Sequence, residues 1–154
     1  MLPTMVALAG AIPLEPSRQL EVVLTWLDAL TAKDISGVEG ATSEDYVHEI
    51  LPKSLGYESQ TKKKYLEYLR SVFPLFRDFH ITIHEVKETP GKVLLHASGA
   101  GTSTTGRPFP TEVNYVIQVE ERNGQYKMVS AQEFVEPQFQ APFLEGPPQS
   151  CMNE

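Results

Sequence analysis

Carboxylates, imidazoles and phenols are the side chains of this sequence that could transfer protons. Glu133 stands in the stretch EFVE, beside Phe134 and Val135. The two-residue period of a strand places it on one face with Val129, Ala131 and Val135. A carboxylate on an apolar face is costly to bury unless it is protonated or paired. Glu133 is therefore either a general acid or base in an apolar pocket, or an edge acid paired with an arginine.

Two further residues are candidates for acid/base catalysis. His48 precedes EILP on a predicted short strand, where its side chain could enter a pocket or form a structural hydrogen bond. An imidazole titrates near neutral pH and can therefore give or take a proton. Glu112 begins a later strand on the more polar face, with Asn114 and Gln118, so solvent or a dimer interface is the alternative. The predicted catalytic set is His48, Glu112 and Glu133.

Aromatic side chains from different parts of the chain are candidates for lining a pocket. A single aromatic residue is by default part of a core, but several from different elements of a small domain indicate a lined cavity. The candidates are Trp26, Tyr46, Tyr65, Phe73, Tyr115 and Phe134. Tyr46 and Tyr115 could also donate a hydrogen bond to a substrate oxygen. His96 and Asn114 complete the predicted substrate-binding set, and His96 has a structural or interfacial role as its alternative.

Several other functions have no matching pattern. The four histidines and the single Cys151 are scattered, so they form no zinc signature. No phosphate loop, nucleophile elbow or redox-cofactor motif is found, and the net charge of −7 argues against nucleic-acid binding. No apolar run reaches the roughly 18 residues of a membrane helix. We therefore expect a protein that binds no metal, cofactor, nucleic acid or membrane. The single cysteine is consistent with a reducing, cytoplasmic compartment.

Two kinds of periodicity divide the chain. Apolar residues at three- and four-residue spacing predict a helix from an N-cap at Ser17 to about Ala32 and another that opens at Thr61, and residues 33–42 predict a short helix or turn. The stretch DYVHEILP predicts a short strand just before the helix that opens at Thr61. From Asp78 the period is two, and turns such as Asn123-Gly124 separate four strands. Segregated helices and strands predict an α+β fold, a bent antiparallel sheet whose concave side and three helices enclose a pocket.

This order of elements resembles the cone-shaped fold of nuclear transport factor two, the SnoaL-like polyketide cyclases and scytalone dehydratase. Five stretches are similar to small fungal SnoaL-like proteins: VHEILPKSLG (47–56), TKKKYL (61–66), KVLLHASGAGTSTTGRPF (92–109), TEVNYV (111–116) and QEFVEP (132–137). The resemblance covers residues 17–137. It implies an N-terminal extension at 1–16, a SnoaL-like (cystatin-like) cone domain at 17–137 and an extended C-terminal tail at 138–154.

The resemblance also implies an activity. Fungal members of this group isomerise, cyclise or dehydrate terpenoid, meroterpenoid or polyketide intermediates of secondary metabolism, without cofactors and usually as homodimers. We therefore expect a homodimeric, cofactor-independent isomerase or cyclase that acts on a small apolar, oxygenated substrate. A dehydratase of the scytalone dehydratase type and a non-catalytic small-molecule-binding or dimeric interaction module are the alternatives.

Some positions depart from the family pattern. Relatives often carry Asn at Thr111 and Lys at Gln132. Many also carry an arginine where this chain has Thr42, Ser43 and Glu44. If that arginine anchors substrate in its owners, this chain binds a different substrate or lacks the activity.

Overall fold

The computed structural model describes residues 6–8, 12 and 15–135. The predicted tail, with Cys151, lies outside these described residues. The α-helices within them are α1 (Arg18–Ala32), α2 (Ile35–Ala41) and α3 (Lys62–Val72). The strands within them are β1 (Val6–Leu8), β2 (Thr42–Leu51), β3 (Gln60–Thr61), β4 (Phe76–Thr89), β5 (Lys92–Ser103), β6 (Pro108–Arg122) and β7 (Gln125–Val135). Two short 3₁₀ turns, Lys53–Leu55 and Phe73–Leu75, border α3 and β2.

The first and third helices begin where the sequence predicts. The Ser17 hydroxyl accepts a hydrogen bond from the Leu20 N–H, and the Thr61 hydroxyl accepts one from the Lys64 N–H. These side chains satisfy backbone donors that the first helical turn leaves unpaired. Pro74 follows α3 within a 3₁₀ turn, because its ring prevents the α-helix from continuing.

The described strands form one seven-stranded sheet in the order β1-β4-β5-β6-β7-β2-β3. Strands β4 to β7 are an antiparallel meander, as predicted, and β2 pairs with β7 in parallel. Asn123 and Gly124 both have positive φ, 53° and 78°, which suits a two-residue hairpin turn. The predicted α+β cone is confirmed, and β1 adds an edge strand from the N-terminal extension, parallel to β4.

The core lies between α1, α3 and the concave face of the sheet. Alternate residues of β4, β5 and β6 point into it, as the two-residue period predicts. In β7 the alternation is interrupted, because Val119 pairs with Met128 and Gln118 pairs with Ser130. Val129 is the residue of β7 that has no partner on β6 at this shift. Met128, rather than Val129, is the fully buried residue. The prediction that Val129 shares the face of Glu133 is therefore wrong.

Two glycines of β5 make room for an aromatic ring. A Cβ on Gly99 would lie 3.0 Å from the Phe79 ring, and one on Gly101 would lie 2.5 Å from the Asp78 carbonyl oxygen. Only residues without a Cβ allow β4 and the Phe79 ring to approach so closely. The neighbouring register shift lies in β4, between Phe76 and Asp78.

Candidate active site

Glu133 occupies the inner face of the sheet and holds two side-chain hydrogen bonds. Tyr115 is its direct partner in the β6–β7 ladder, and the Tyr115 hydroxyl donates to Glu133 Oε1 over 3.2 Å. Ile50 pairs with Glu133 across the parallel β2–β7 ladder. His48, two residues earlier on β2, has the same inward orientation, and its Nε2 lies 2.9 Å from Glu133 Oε2. The sheet thus gives each carboxylate oxygen one donor.

The tautomer of His48 follows from its other neighbour. Tyr46 is 1% exposed, and its hydroxyl lies 2.8 Å from His48 Nδ1. A buried hydroxyl needs an acceptor for its hydrogen, and Nδ1 of a neutral imidazole supplies one. The Nε2 proton of His48 then points at the Glu133 carboxylate. Tyr46, His48 and Glu133 thus form a chain of donors that ends at the carboxylate.

Aromatic rings pack around this pair. The Tyr65 ring stacks on the His48 imidazole, with centroids 4.1 Å apart and planes 15° apart. The Trp26 indole N–H donates to the Tyr65 hydroxyl over 3.2 Å, and the indole meets the Tyr115 ring edge-on. Such edge and stacked contacts leave few rotamers open to either ring. The imidazole is therefore fixed in orientation as well as in tautomer.

An apolar cavity opens in front of Glu133. Its lining is aromatic and aliphatic apart from Glu133 and Lys33: Trp26, Leu30, Tyr65, Tyr68, Leu69, Val72, Phe73, Phe76, Phe79, Phe109 and Tyr115. Its volume is about 100 Å³, below the roughly 300 Å³ at which ligand pockets usually begin. The cavity is partly open to solvent, so a ring can enter while the rest of a larger molecule extends outward. Glu133 is 19% exposed and can therefore meet such a ring.

The predicted site residues divide between the two faces of the sheet. Trp26, Tyr65, Phe73, Tyr115 and Glu133 line the cavity, and Tyr46 and His48 lie buried behind Glu133.

The remaining four predicted residues lie on the outer face. Glu112 and Asn114 are exposed, and Phe134 is 43% exposed. His96 bonds Glu112 there, with 2.6 Å between Nε2 and Oε1. These four do not meet the cavity, because they alternate with inward residues along their strands. We leave them out of the proposed site.

Burial raises the pKa of each phenol near Glu133. The pKa of Tyr46, Tyr65 and Tyr115 lies well above the ordinary value of 10.0, chiefly because burial disfavours the phenolate. The nearby Glu133 carboxylate adds to this effect for all three. The phenols therefore remain protonated and act as hydrogen-bond donors at neutral pH.

The family model for the SnoaL-like domain matches residues 23–128. This match begins within α1 and ends within β7, before Glu133. The chain belongs to the SnoaL-like domain family. The predicted family resemblance is thus confirmed. No curated protein matches the chain significantly.

Solved structures share this family's fold. The pinacolase BvnE from Penicillium brevicompactum is 16% identical with a TM-score of 0.74, and the alignment covers 83% of this chain and 89% of that one. AusH from Aspergillus nidulans is 26% identical with a TM-score of 0.65, covering 79% and 87%. An LEH-like epoxide hydrolase from M. tuberculosis is 19% identical with a TM-score of 0.66, covering 83% and 90%.

Several lining residues were not among the sequence candidates. Phe76, Phe79 and Phe109 meet at one end of the cavity, with ring centroids 5.2 to 6.5 Å apart. The inward parity of Phe79 on its strand was a usable signal for that residue. The sequence did not indicate Lys33 as a cavity residue, because helix spacing does not show where the side chain after a helix end lies.

Within residues 6–8, 12 and 15–135, no group of His, Cys, Asp and Glu is arranged to hold a metal ion. Among the helices of the described chain, none is long and apolar enough to cross a membrane.

Proposed function

We propose that this protein is a cofactor-independent isomerase or cyclase of an apolar, oxygenated natural-product intermediate, of terpenoid, meroterpenoid or polyketide type. One observation carries the proposal: Glu133 lies in the wall of an aromatic cavity with His48 and Tyr115 as hydrogen-bond donors. A charged carboxylate in such a wall has a desolvation cost that a purely structural residue would avoid.

The geometry suits proton transfer within one substrate molecule. The Glu133 carboxylate removes a proton from a C–H or O–H group of the bound substrate. It then returns the proton to a different atom of the same molecule. Such an isomerisation or cyclisation leaves the enzyme unchanged and consumes no water or co-reactant, so one carboxylate can act as both base and acid.

The neighbours of Glu133 support both states of the carboxylate. The His48 Nε2 proton and the Tyr115 hydroxyl stabilise the ionised form through hydrogen bonds of 2.9 and 3.2 Å. When Glu133 is protonated, the Tyr115 hydroxyl is available to a developing oxyanion of the substrate. The aromatic walls restrict the substrate to one folded conformer, which contributes to the rate by lowering the entropy cost of reaction.

The comparisons support an enzymatic use of the cavity. A pinacolase and an epoxide hydrolase have the same fold as this chain. Their identities are below 20%, so the support concerns the fold and its cavity rather than a shared substrate.

The test is turnover of candidate intermediates by the wild type, Glu133→Gln and Glu112→Gln. We expect Glu133→Gln to lower kcat at least about 100-fold, because an amide cannot accept the proton. Glu112→Gln makes the same change in an exposed Glu that also bonds a histidine. It should retain activity because Glu112 faces away from the cavity. Equal activity of all three proteins contradicts the assignment.

The product mass separates the alternatives in the same experiment. A product with the mass of the substrate indicates isomerisation or cyclisation, and a product lighter by one water indicates a dehydratase. Binding of intermediates without any product indicates a binding module.

We also propose that the outer face of the sheet forms a homodimer interface. Leu94, Phe134 and Val47 are apolar and at least 36% exposed there. Leu94 pairs with Val116 of β6, and Phe134 pairs with Asn114, two residues away on the same strand, so these side chains share one region of the outer face. Exposed apolar residues grouped on one sheet face are typical of a protein interface.

A further inference from the structure

We propose that Lys33 is a cationic end of the cavity and binds an anionic oxygen of the substrate, so that the substrate is an apolar acid. Its carboxylate or ionised enol would lie at Lys33 while its reacting centre lies at Glu133. This inference rests on the proposed function, because it places the substrate in the same cavity.

The backbone of Lys33 has a conformation that is unusual for a lysine. Lys33 ends α1 with φ 56° and ψ 41°, in the left-handed region. Glycine or asparagine is the usual residue there, and a side chain with a Cβ costs about 1 kcal/mol. Helix termination alone therefore does not account for lysine at this position. Such strained positions are frequent at functional sites.

The side chain of Lys33 crosses to the mouth of the cavity. Its ammonium donates to the Phe76 carbonyl oxygen over 2.9 Å, and the residue is part of the cavity lining although much of it is exposed. An ammonium has three N–H donors. The described residues provide one hydrogen-bond acceptor for it, so donors remain for a ligand.

Helix α1 separates the backbone of Lys33 from that of Trp26, which packs beside the Glu133 partner Tyr115. Trp26 and Leu30 lie on one face of α1 at four-residue spacing, Lys33 follows the helix as its C-cap, and all three line the cavity. Trp26 contacts Tyr115, which bonds Glu133. Lys33 is seven residues further on, about 10 Å along the helix axis. The cavity thus has a carboxylate near one end and an ammonium near the other.

The surroundings of Lys33 favour an anionic group that is attached to an apolar body. Phe76, Phe79 and Phe109 line the cavity near this end. Apolar walls lower the local dielectric constant and therefore strengthen the attraction of an ammonium for an anionic oxygen. Glu133 repels the same anion. The two charges together select one orientation, in which the apolar body lies between them and the far end of the substrate meets Glu133.

The test compares a narrow aromatic acid with its neutral amide. 4-Hydroxycinnamate and 4-hydroxycinnamamide have the same ring and length, so their affinities differ through the charge. We expect calorimetry to show that the wild type binds the acid about 10-fold more tightly, the size of one charge-assisted hydrogen bond. Lys33→Met should remove this preference and leave amide binding unchanged.

Two further variants complete the design. Lys33→Gly removes the cation while its backbone suits the left-handed conformation, so it should fold even if Lys33→Met does not. Lys87→Met removes an equal charge from a lysine whose side chain is 69% exposed and outside the cavity lining, and it should keep the preference for the acid.

The outcomes separate this inference from the proposed function. Equal affinity of the wild type for the two probes, or a preference for the acid that survives in Lys33→Gly, overturns the role of Lys33. Either result leaves the cavity intact as a ligand site. Failure of the wild type to bind either probe also overturns this inference, whereas the proposed function is overturned separately, by equal turnover of intermediates in the wild type, Glu133→Gln and Glu112→Gln.

Discussion

Two histidine–glutamate pairs of this chain have the same chemistry and different surroundings. His48 and Glu133 are 1% and 19% exposed, whereas His96 and Glu112 are 32% and 68% exposed. Water competes with the outer pair for hydrogen bonds and screens its charges, while the inner pair meets an apolar cavity. Only the inner pair can therefore act on an apolar molecule out of contact with water. The outer pair provides the matched control.

Tyr46 is predicted to position His48 by fixing its tautomer. Tyr46→Phe keeps the ring but leaves His48 Nδ1 without its donor at 2.8 Å. We expect the imidazole to populate both tautomers, so the bond to Glu133 weakens and kcat falls about 10-fold with KM little changed. Nitrogen NMR of the imidazole measures the tautomer without any substrate.

The control for this change is Tyr126→Phe. Tyr126 lies elsewhere, with its ring beneath the Arg18 guanidinium, 4.8 Å from its centroid. This variant should leave the His48 signals unchanged. A Tyr46→Phe spectrum identical to that of the wild type would show that another contact sets the tautomer.

The buried phenols predict a loss of stability at alkaline pH. The folded-state pKa of Tyr46, Tyr65 and Tyr115 is raised above the unfolded value, mainly by burial. Unfolded chains therefore release these protons first as the pH rises. The free energy of unfolding should be fully retained below about pH 10 and should decline above it. Phenolate absorbance should increase together with the loss of circular dichroism.

Ionisation of Tyr46, Tyr65 and Tyr115 near pH 10 with an unchanged circular dichroism spectrum would contradict the prediction.

The orientation of individual side chains followed from the sequence where strands alternate regularly. Parity placed Glu133 with Ala131 and Val135, and it placed Glu112 on the polar face. The hydrogen bond between Glu133 and His48 could not be predicted from the sequence, because the two residues are 85 positions apart. Their contact depends on the register of β2 against β7, which no local pattern encodes.

At the scale of elements, caps and turns were predictable and strand pairing was less so. Ser17, Thr61 and Asn123-Gly124 act locally, so their short-range hydrogen bonds and φ preferences are legible in sequence. Strand β2 alternates poorly because its register on β7 shifts between Thr42 and Val47. Its length and parallel pairing were therefore not predicted.

Lys62 is predicted to stabilise the junction of α2, β2 and α3. It is 8% exposed, and its ammonium donates to the carbonyl oxygens of Glu39 and Thr42 over 3.0 and 3.1 Å. Lys62→Met leaves both acceptors without this donor. We expect the free energy of unfolding to fall by about 1–3 kcal/mol, measured by urea denaturation.

The neighbouring Lys63 is the control for this substitution. Lys63 is exposed, so Lys63→Met should change the free energy of unfolding by less than about 0.5 kcal/mol. The contribution of the Glu44 carboxylate to the Lys62 effect should be small, because that side chain is 99% exposed. Equal urea midpoints for the two methionine variants would rule out the proposed role of Lys62.

At the scale of the whole molecule, the proposed homodimer predicts a mutation that separates its subunits. Leu94→Arg places a charge in the outer apolar patch, where Leu94 is 40% exposed. Burial of an unpaired guanidinium opposes association. Sedimentation equilibrium should show a dimeric wild type and a monomeric variant.

Leu75→Arg is the matched control for the homodimer. Leu75 is 42% exposed and lies in the 3₁₀ turn after α3, away from the outer patch. This variant should remain dimeric. A monomeric wild type at high concentration would overturn the proposed interface.

The parallel pairing of β2 with β7 has a consequence for the order of folding. The β4–β7 meander consists of consecutive hairpins, which can form as each strand becomes available. The β2–β7 ladder instead joins segments more than 80 residues apart, His48 and Glu133 being separated by 85. This ladder can form only when nearly all of the described chain is available. We therefore expect the sheet to exist before the His48–Glu133 contact does, so that a kinetic intermediate of this protein would be structured but would lack the proposed catalytic pair.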